Sequence, residues 1–314
     1  MDHADDDGGD NVFVYVGGSI PRHLRYTITH IRIYESVKII TRGAFRECYN
    51  LVSVEMHDGV EIIEVYAFDH CTSLRIIKLP GVRVIGANAF NNCQSLESVE
   101  FGDKLERIGE SAFAFTSLRH VKLPKIRVIE SRAFKSCEQL MEVELSEDLE
   151  TIGCFVFYNC PFRRITMPLK GNLLGNNYVF NGCDDLSTVH LVGGIHNTIS
   201  SLLLDSWRDK MNDKIDRINR KLPHTLDRNK TITIRQWMGR VLKRITHYKS
   251  KHYALLKEDM TLLELALWKV SLPNVDAAAG RDEARVTCGA NIIIPHVLSF
   301  LNDEDVFPTI NHNS

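Results

Sequence analysis

The chain has 314 residues, with 44% apolar and 25% charged side chains and a formal net charge of −2. That balance is ordinary for a soluble globular protein of one large or two modest domains, each able to bury a core. The apolar runs fall short of the ~18 to 20 residues that span a bilayer, so no transmembrane segment is expected. Met1 to Asp10 carries five Asp and no apolar run. This is unlike a secretory start, and the expected location is intracellular, cytoplasmic or nuclear.

Residues 1–11 read as a disordered acidic tail, residues 12–196 as a repeat solenoid and residues 197–314 as an α-helical C-terminal region. The repeat is explicit from residue 37 to 191. Phe45, Phe68, Phe90, Phe113, Phe134, Phe157 and Phe180 recur every 21 to 23 residues, marking about seven coils. Ala precedes the first five and Val the last two. Three residues after the Phe stand Cys48, Cys71, Cys93, Cys137, Cys160 and Cys183, with Thr116 in the fourth coil. Ile40, Ile63, Ile85, Ile108, Ile129 and Ile152 come five residues before it. A coil of about 22 residues cannot enclose a core alone, but stacked coils bury a continuous apolar ladder. Segments such as Ser98-Val99-Glu100-Phe101 alternate polar and apolar, as a half-buried strand does.

Residues 86–96 read Gly-Ala-Asn-Ala-Phe-Asn-Asn-Cys-Gln-Ser-Leu, one copy of an Ile-Gly-x-x-Ala-Phe-x-x-Cys-x-x-Leu core. This pattern resembles the BspA-type leucine-rich repeats, over about half the chain. The resemblance implies a right-handed leucine-rich-repeat solenoid of short parallel strands with a binding role, and it brings no catalytic residues. Val189 to Trp207 and His252 to Leu272 resemble in texture the helical tail of a group of diatom proteins. The stretch Leu174 to Phe180 is one residue longer than its counterparts, which points to a distorted terminal coil.

A two-coil period of about 44 residues lies beneath the first. One column reads Glu55, Lys78, Glu100, Lys122, Glu144, and another reads Lys38, Glu61, Arg83, Glu106, Arg127, Glu150. Parallel strands lie about 4.8 Å apart, so these charges are expected to neighbour one another with alternating sign. Each such pair contributes about 0.2 to 1 kcal/mol and holds register, because a one-coil slip sets like charges together. Their plain role is solvated stabilisation; the functional alternative is a charge-striped recognition surface.

Seven of the eight Cys fall within the repeats, without a Cys-x-x-Cys. A column of small apolar thiols suits the core, so these are expected to be buried and reduced. His247 and His252 are five residues apart, on different helix faces, and no zinc spacing occurs. No metal or cofactor is expected.

After Leu191 helix signals replace the repeat. One helix is expected from Ser200-Ser201 to before Pro223, and a second from Thr231 to about Tyr248. A third is expected to be capped by Thr261-x-x-Glu264. Residues 274–284 read as a loop. A helix is expected near Pro295 within Ile292 to Leu301, and residues 303–314 read as loose. From Arg208 to Lys257 there are fifteen Lys and Arg against four Asp. The second helix carries Arg235, Arg240, Lys243 and Arg244 among or opposite an apolar stripe. Such a helix caps the last coil, or binds nucleic acid or an anionic surface. The Asn229-Lys230-Thr231 triplet matches a glycosylation acceptor, a pattern that arises readily by chance.

No phosphate loop, nucleophile elbow or zinc-protease motif is present. Gly86, Gly109 and Gly153 follow the coil period and read as turn residues. The expected function is therefore a non-catalytic protein-interaction scaffold with an unidentified protein partner. Its candidate surface is Glu55, Lys78, Glu100, Lys122 and Glu144. The alternative is a nucleic-acid or anionic-surface binder acting through residues 208–257, Arg235, Arg240, Lys243 and Arg244 above all.

Overall fold

A computed structural model describes residues 12–271, apart from 176, 177, 194 and 203. The expected acidic tail, the loop at 274–284, the helix near Pro295 and the loose end lie outside the described residues. The chain divides into two compact units, residues 1–195 with 213–241, and residues 196–212 with 242–314.

The first unit is a parallel-strand solenoid of about eight turns. One ladder holds β1 (Val12–Tyr15), β2 (His30–Ile33), β4 (Ser53–Glu55), β6 (Ile76–Leu79), β8 (Ser98–Phe101), β10 (His120–Leu123), β12 (Glu142–Leu145), β14 (Arg164–Pro168) and β15 (Thr188–Val192). A second, of two-residue strands, runs through β3 (Ile39–Ile40), β5 (Ile62–Ile63), β7 (Val84–Ile85), β9 (Arg107–Ile108), β11 (Val128–Ile129) and β13 (Thr151–Ile152). The stack starts one coil earlier than the Phe count suggests. β1 pairs with β2 across a 3-10 turn at Arg22–Tyr26, and Tyr15 takes the aromatic place, edge-on to Phe45 at 4.7 Å.

The columns occupy the core. All seven Phe are fully buried and stacked, with ring centroids 5.0 to 5.1 Å apart from Phe45 to Phe113. The spacing widens to 6.3 Å at Phe157–Phe180, where the Phe162 ring packs edge-on against both. This is the long terminal coil, which replaces the two-residue strand by a turn over 171–175.

The six column cysteines are free and buried. From Cys71 on, each thiol meets the Phe carbonyl of the preceding coil, as Cys93 does with Phe68 O at 3.1 Å and Cys183 with Phe157 O at 3.0 Å. Cysteine suits this column because it is small and apolar yet carries a weak donor for an inter-coil carbonyl. Burial pushes Cys48 and Cys183 up to about 12.

Two residues on either side of each Phe the backbone turns left-handed, at Tyr66 and His70, Asn88 and Asn92, Ser111 and Phe115, and so through Tyr178 and Gly182. Gly86, Gly109 and Gly153, expected as turn residues, have no positive φ. They are glycines because the preceding coil passes too close: a Cβ on Gly153 would lie 2.4 Å from Ser131 N.

Within this first unit, residues 213–241 pack as helix. Ile218, Leu222, Ile234, Trp237, Met238 and Val241 are buried, and Trp237 Nε1 donates to Lys214 O at 3.0 Å. The helices are α1 (Ile195–Ser200), α2 (Asp205–Lys221) and α3 (Asp227–Ser271). The capping box expected at Thr261 is corrected here: no helix begins there. Thr261 lies inside the 45-residue α3 and donates to Lys257 O at 2.8 Å, the i−4 bond of a helix-interior threonine. In the second unit Trp207 stacks on Tyr248 at 5.2 Å, and Met211 and Ile245 are buried.

Candidate interaction surfaces

The outward residues of the longer strands form the first surface. Glu55, Lys78, Glu100, Lys122 and Glu144 stand on β4, β6, β8, β10 and β12 in one column, all outward and solvent-accessible. They pair in twos and do not form a continuous chain. Lys78 meets Glu100 at 3.0 Å, and Lys122 meets Glu144 at 3.2 Å. Glu55 is held by Arg32 at 2.6 Å, a partner on β2 that the sequence columns did not include. The ladder of longer strands is segmented to match: β1-β2-β4, then β6-β8, then β10-β12-β14-β15. These three ion pairs each lie inside a segment. The second column behaves alike, with Arg83–Glu106 at 3.0 Å and Arg127–Glu150 at 2.5 Å. In these two columns each pair places its cation on the earlier coil, whereas Arg119, Arg132 and Arg164 pair elsewhere with a Glu of the coil before.

Two positions earlier on these strands stand His30, Ser53, Ile76, Ser98, His120, Glu142, Arg164 and Thr188. Here the repeat imposes no residue type. Ile76 is 55% exposed, a large apolar group in this outward column, and Val14, in register with Arg32, is 46% exposed.

The second surface is the closed end of the stack. In each coil the Phe N–H donates to the carbonyl one residue before the next coil's Phe, as Phe157 does to Val179 O at 3.1 Å. The last coil has no successor, and α3 supplies side chains in its place. Phe180 N–H donates to Thr231 Oγ1 at 2.9 Å, and Gly182 N–H to Asp227 Oδ2 at 3.2 Å. The buried Lys230 ammonium donates to Cys183 O at 2.7 Å, Asp184 O at 2.5 Å and Leu186 O at 2.9 Å. Val189 N–H donates to Asn219 Oδ1 at 2.8 Å. Desolvation holds Lys230 below the usual lysine range. A solenoid end left open would expose these groups and the apolar columns, so the contacts meet a real need. They were invisible in the sequence, where Asn229-Lys230-Thr231 looked like a chance triplet.

The four basic residues of α3 divide. Arg235 is half-buried and donates to Gly175 O at 2.5 Å. Arg240, Lys243 and Arg244 are exposed, and Arg244 lies 5.6 Å from the Tyr248 ring centroid. Among the described residues no three His, Cys, Asp or Glu gather as metal ligands, and no helix is long and apolar enough to cross a membrane.

Comparison with known proteins agrees with this architecture. The family described as BspA type leucine rich repeat region matches residues 24–128 and 117–206 in six copies, more than half of the chain. The chain belongs to that family. No curated protein matches it. Among solved structures, a leucine-rich repeat protein from Bacteroides ovatus is 24% identical, with TM-score 0.37, over 52% of this chain and 61% of the other. A leucine-rich repeat protein of T. pallidum is 25% identical, with TM-score 0.40, over 59% and 82%. The pneumococcal vaccine antigen PcpA is 20% identical, with TM-score 0.32, over 58% and 66%. The chain thus spans about three fifths of the length of the Bacteroides protein. The family match ends at residue 206, short of most of the helical tail.

Proposed function

We propose that the chain is a non-catalytic scaffold that binds a protein partner through the outward face of the longer strands. The observation that carries this reading is the contrast between columns. Inward positions repeat one residue type in coil after coil, whereas the outward column from His30 to Thr188 changes at almost every step on a rigid frame of fixed spacing. Paired charges beside it cancel any long-range field, which favours a shape- and contact-specific partner over a bulk polyanion. The free, buried thiols fit a reducing compartment, in the cytoplasm or nucleus.

The test is capture of partners by the full chain compared with an Ile76→Asp/His120→Asp variant. Loss of the captured protein with unchanged melting supports the reading. Undiminished capture removes this face from the function.

A second reading rests on Arg240, Lys243 and Arg244. These are exposed and in no ion pair among the described residues, whereas most cations on the strand ladders are paired. Replacing the three with Gln and measuring heparin retention at rising salt decides whether they hold an anionic partner.

A further inference from the structure

The left-handed turn positions are required by the fold, two in every coil, but the residues filling them are not. Gly43, Asn88, Asn92, Asn159 and Gly182 fill them with types that adopt this conformation readily. Phe115, Phe155 and Tyr178 fill them with aromatic rings, at φ of 59°, 56° and 47°, as Tyr66 does at 62° on an earlier coil. A bulky side chain there carries a steric penalty that asparagine largely avoids, and such strain concentrates at functional sites.

These rings stand on the outside. Phe115 is 42% and Tyr178 49% exposed, and Tyr158, beside Asn159, is 37% exposed. Phe155 stacks on Tyr178 at 5.7 Å and meets Tyr158 edge-on at 5.8 Å. Lys135 joins the two ends, its ammonium 5.2 Å from the Phe115 ring centroid and 5.9 Å from that of Tyr158. No carboxylate lies within ion-pair distance of Lys135 among the described residues. The result is an aromatic ridge over four successive coils, with one cation that lacks a counter-charge.

We infer that this ridge docks an extended, proline-rich peptide segment carrying a carboxylate. The inference rests on the scaffold reading but uses a different face. Four features select this occupant. Ring faces are what pyrrolidine rings pack against, and a polyproline II chain arrives pre-ordered. Phe115 and Tyr158 are two coils apart, about 9.6 Å at a strand spacing of 4.8 Å. One polyproline II turn advances about 9.3 Å, so residues one turn apart can meet Phe115 and Tyr158. Lys135, between those rings, supplies the charge complement for an acidic side chain. The tyrosine hydroxyls of Tyr158 and Tyr178 can donate to the backbone carbonyls, which have no internal partners in such a chain.

The experiment titrates the full chain into fluorescein-labelled (Pro-Pro-Glu-Pro)3 and follows anisotropy. The equally charged (Gly-Ser-Glu-Gly)3 serves as one control and cellohexaose as a competitor. Saturable binding of the proline peptide, at least tenfold tighter than the control, is expected. Phe115→Asn with Tyr178→Asn should weaken it at least tenfold while melting holds or rises, since asparagine relieves the strain. Lys135→Met should weaken it severalfold and flatten its salt dependence. No saturable binding, equal binding of the control, displacement by cellohexaose or insensitivity to the ring substitutions would each overturn the inference. A fall in melting temperature of several degrees in the Asn variant would show that the rings serve the fold, and overturn it too. Protein capture that survives the ring substitutions but is lost with Ile76→Asp/His120→Asp keeps the scaffold reading and removes this one.

Discussion

Thr231→Val tests the closed end of the stack with one atom exchanged for another of nearly equal size. In the native protein Thr231 is 3% exposed and its Oγ1 accepts from Phe180 N–H at 2.9 Å. Valine fills the same space with a methyl group, so packing of the neighbouring apolar residues is retained. What is lost is the acceptor for a fully enclosed backbone donor. An orphaned buried donor costs about 1 to 3 kcal/mol, and the lower half of that range would apply if Phe180 could swing toward water. Phe180 is itself fully buried and stacked on Phe157, which blocks that relief. A loss of about 2 kcal/mol is expected, equivalent to a fall in Tm of about 4 to 8 °C for a unit of this size. Thermal unfolding followed by circular dichroism measures it, with Thr231→Ser as the control that restores the oxygen. A Val variant melting with wild type, or a Ser variant as unstable as Val, would refute the view that α3 side chains stand in for a missing coil.

Further outcomes follow from the columns. Glu100→Lys breaks the 3.0 Å pair with Lys78 and sets three lysines in a row; it should cost about 1 kcal/mol in denaturant titration and be partly rescued by Lys78→Glu. In a Cys288→Ser background, an aromatic disulfide reagent should label exposed Cys154 promptly and the six column thiols only on unfolding. Cys48 and Cys183 stay protonated up to about 12 when folded but ionise near the usual value of about 8.5 when unfolded. Their stabilising contribution is therefore complete below that usual value and is lost as pH rises through the window to 12. Melting should fall more steeply between pH 8.5 and about 10.5 in wild type than in Cys48→Ala/Cys183→Ala.

The buried columns were legible in the sequence because stacking forces one side-chain size upon every coil: a ring at Phe68 meets rings at Phe45 and Phe90, and nothing else fits. The charge columns were legible in sign but not in partnership. Glu55 has two cationic neighbours in its column, Arg32 and Lys78, and only strand pairing decides for Arg32. The closing contacts were not legible. Thr231 reaches Phe180 across 51 residues, over a break in the period, and nothing local marks the match. The aromatic ridge was not legible: the left-handed positions two residues from each Phe hold Gly, Asn, Ser, Glu, His, Arg and aromatic residues alike, so Phe115, Phe155 and Tyr178 break no pattern in the sequence.

A repeat carries no instruction about its own length, so something outside it must set the number of coils. At one end Tyr15 closes the ring column. At the other, Asp227 and Thr231 sit one helical turn apart on α3 and offer oxygens to alternate backbone N–H groups, while Lys230 between them offers a donor to the carbonyls. Both closures meet a single coil, and neither depends on how many coils lie between. The interior should therefore tolerate removal of whole units, provided the unit is the right one. Deleting residues 78–121 joins Ile77 to Lys122 and leaves one column as Arg32, Glu55, Lys122, Glu144 and the other as Lys38, Glu61, Arg127, Glu150. Deleting residues 78–99 sets Glu55 beside Glu100 and Glu61 beside Glu106. If coils contributed independently, the larger deletion would cost twice the smaller. Two like-charge contacts add about 1 kcal/mol to the smaller one alone. The loss measured by denaturant titration for the two-coil deletion should then fall short of double, and a strict doubling would show that the two-coil period does no more than record how the sequence was copied.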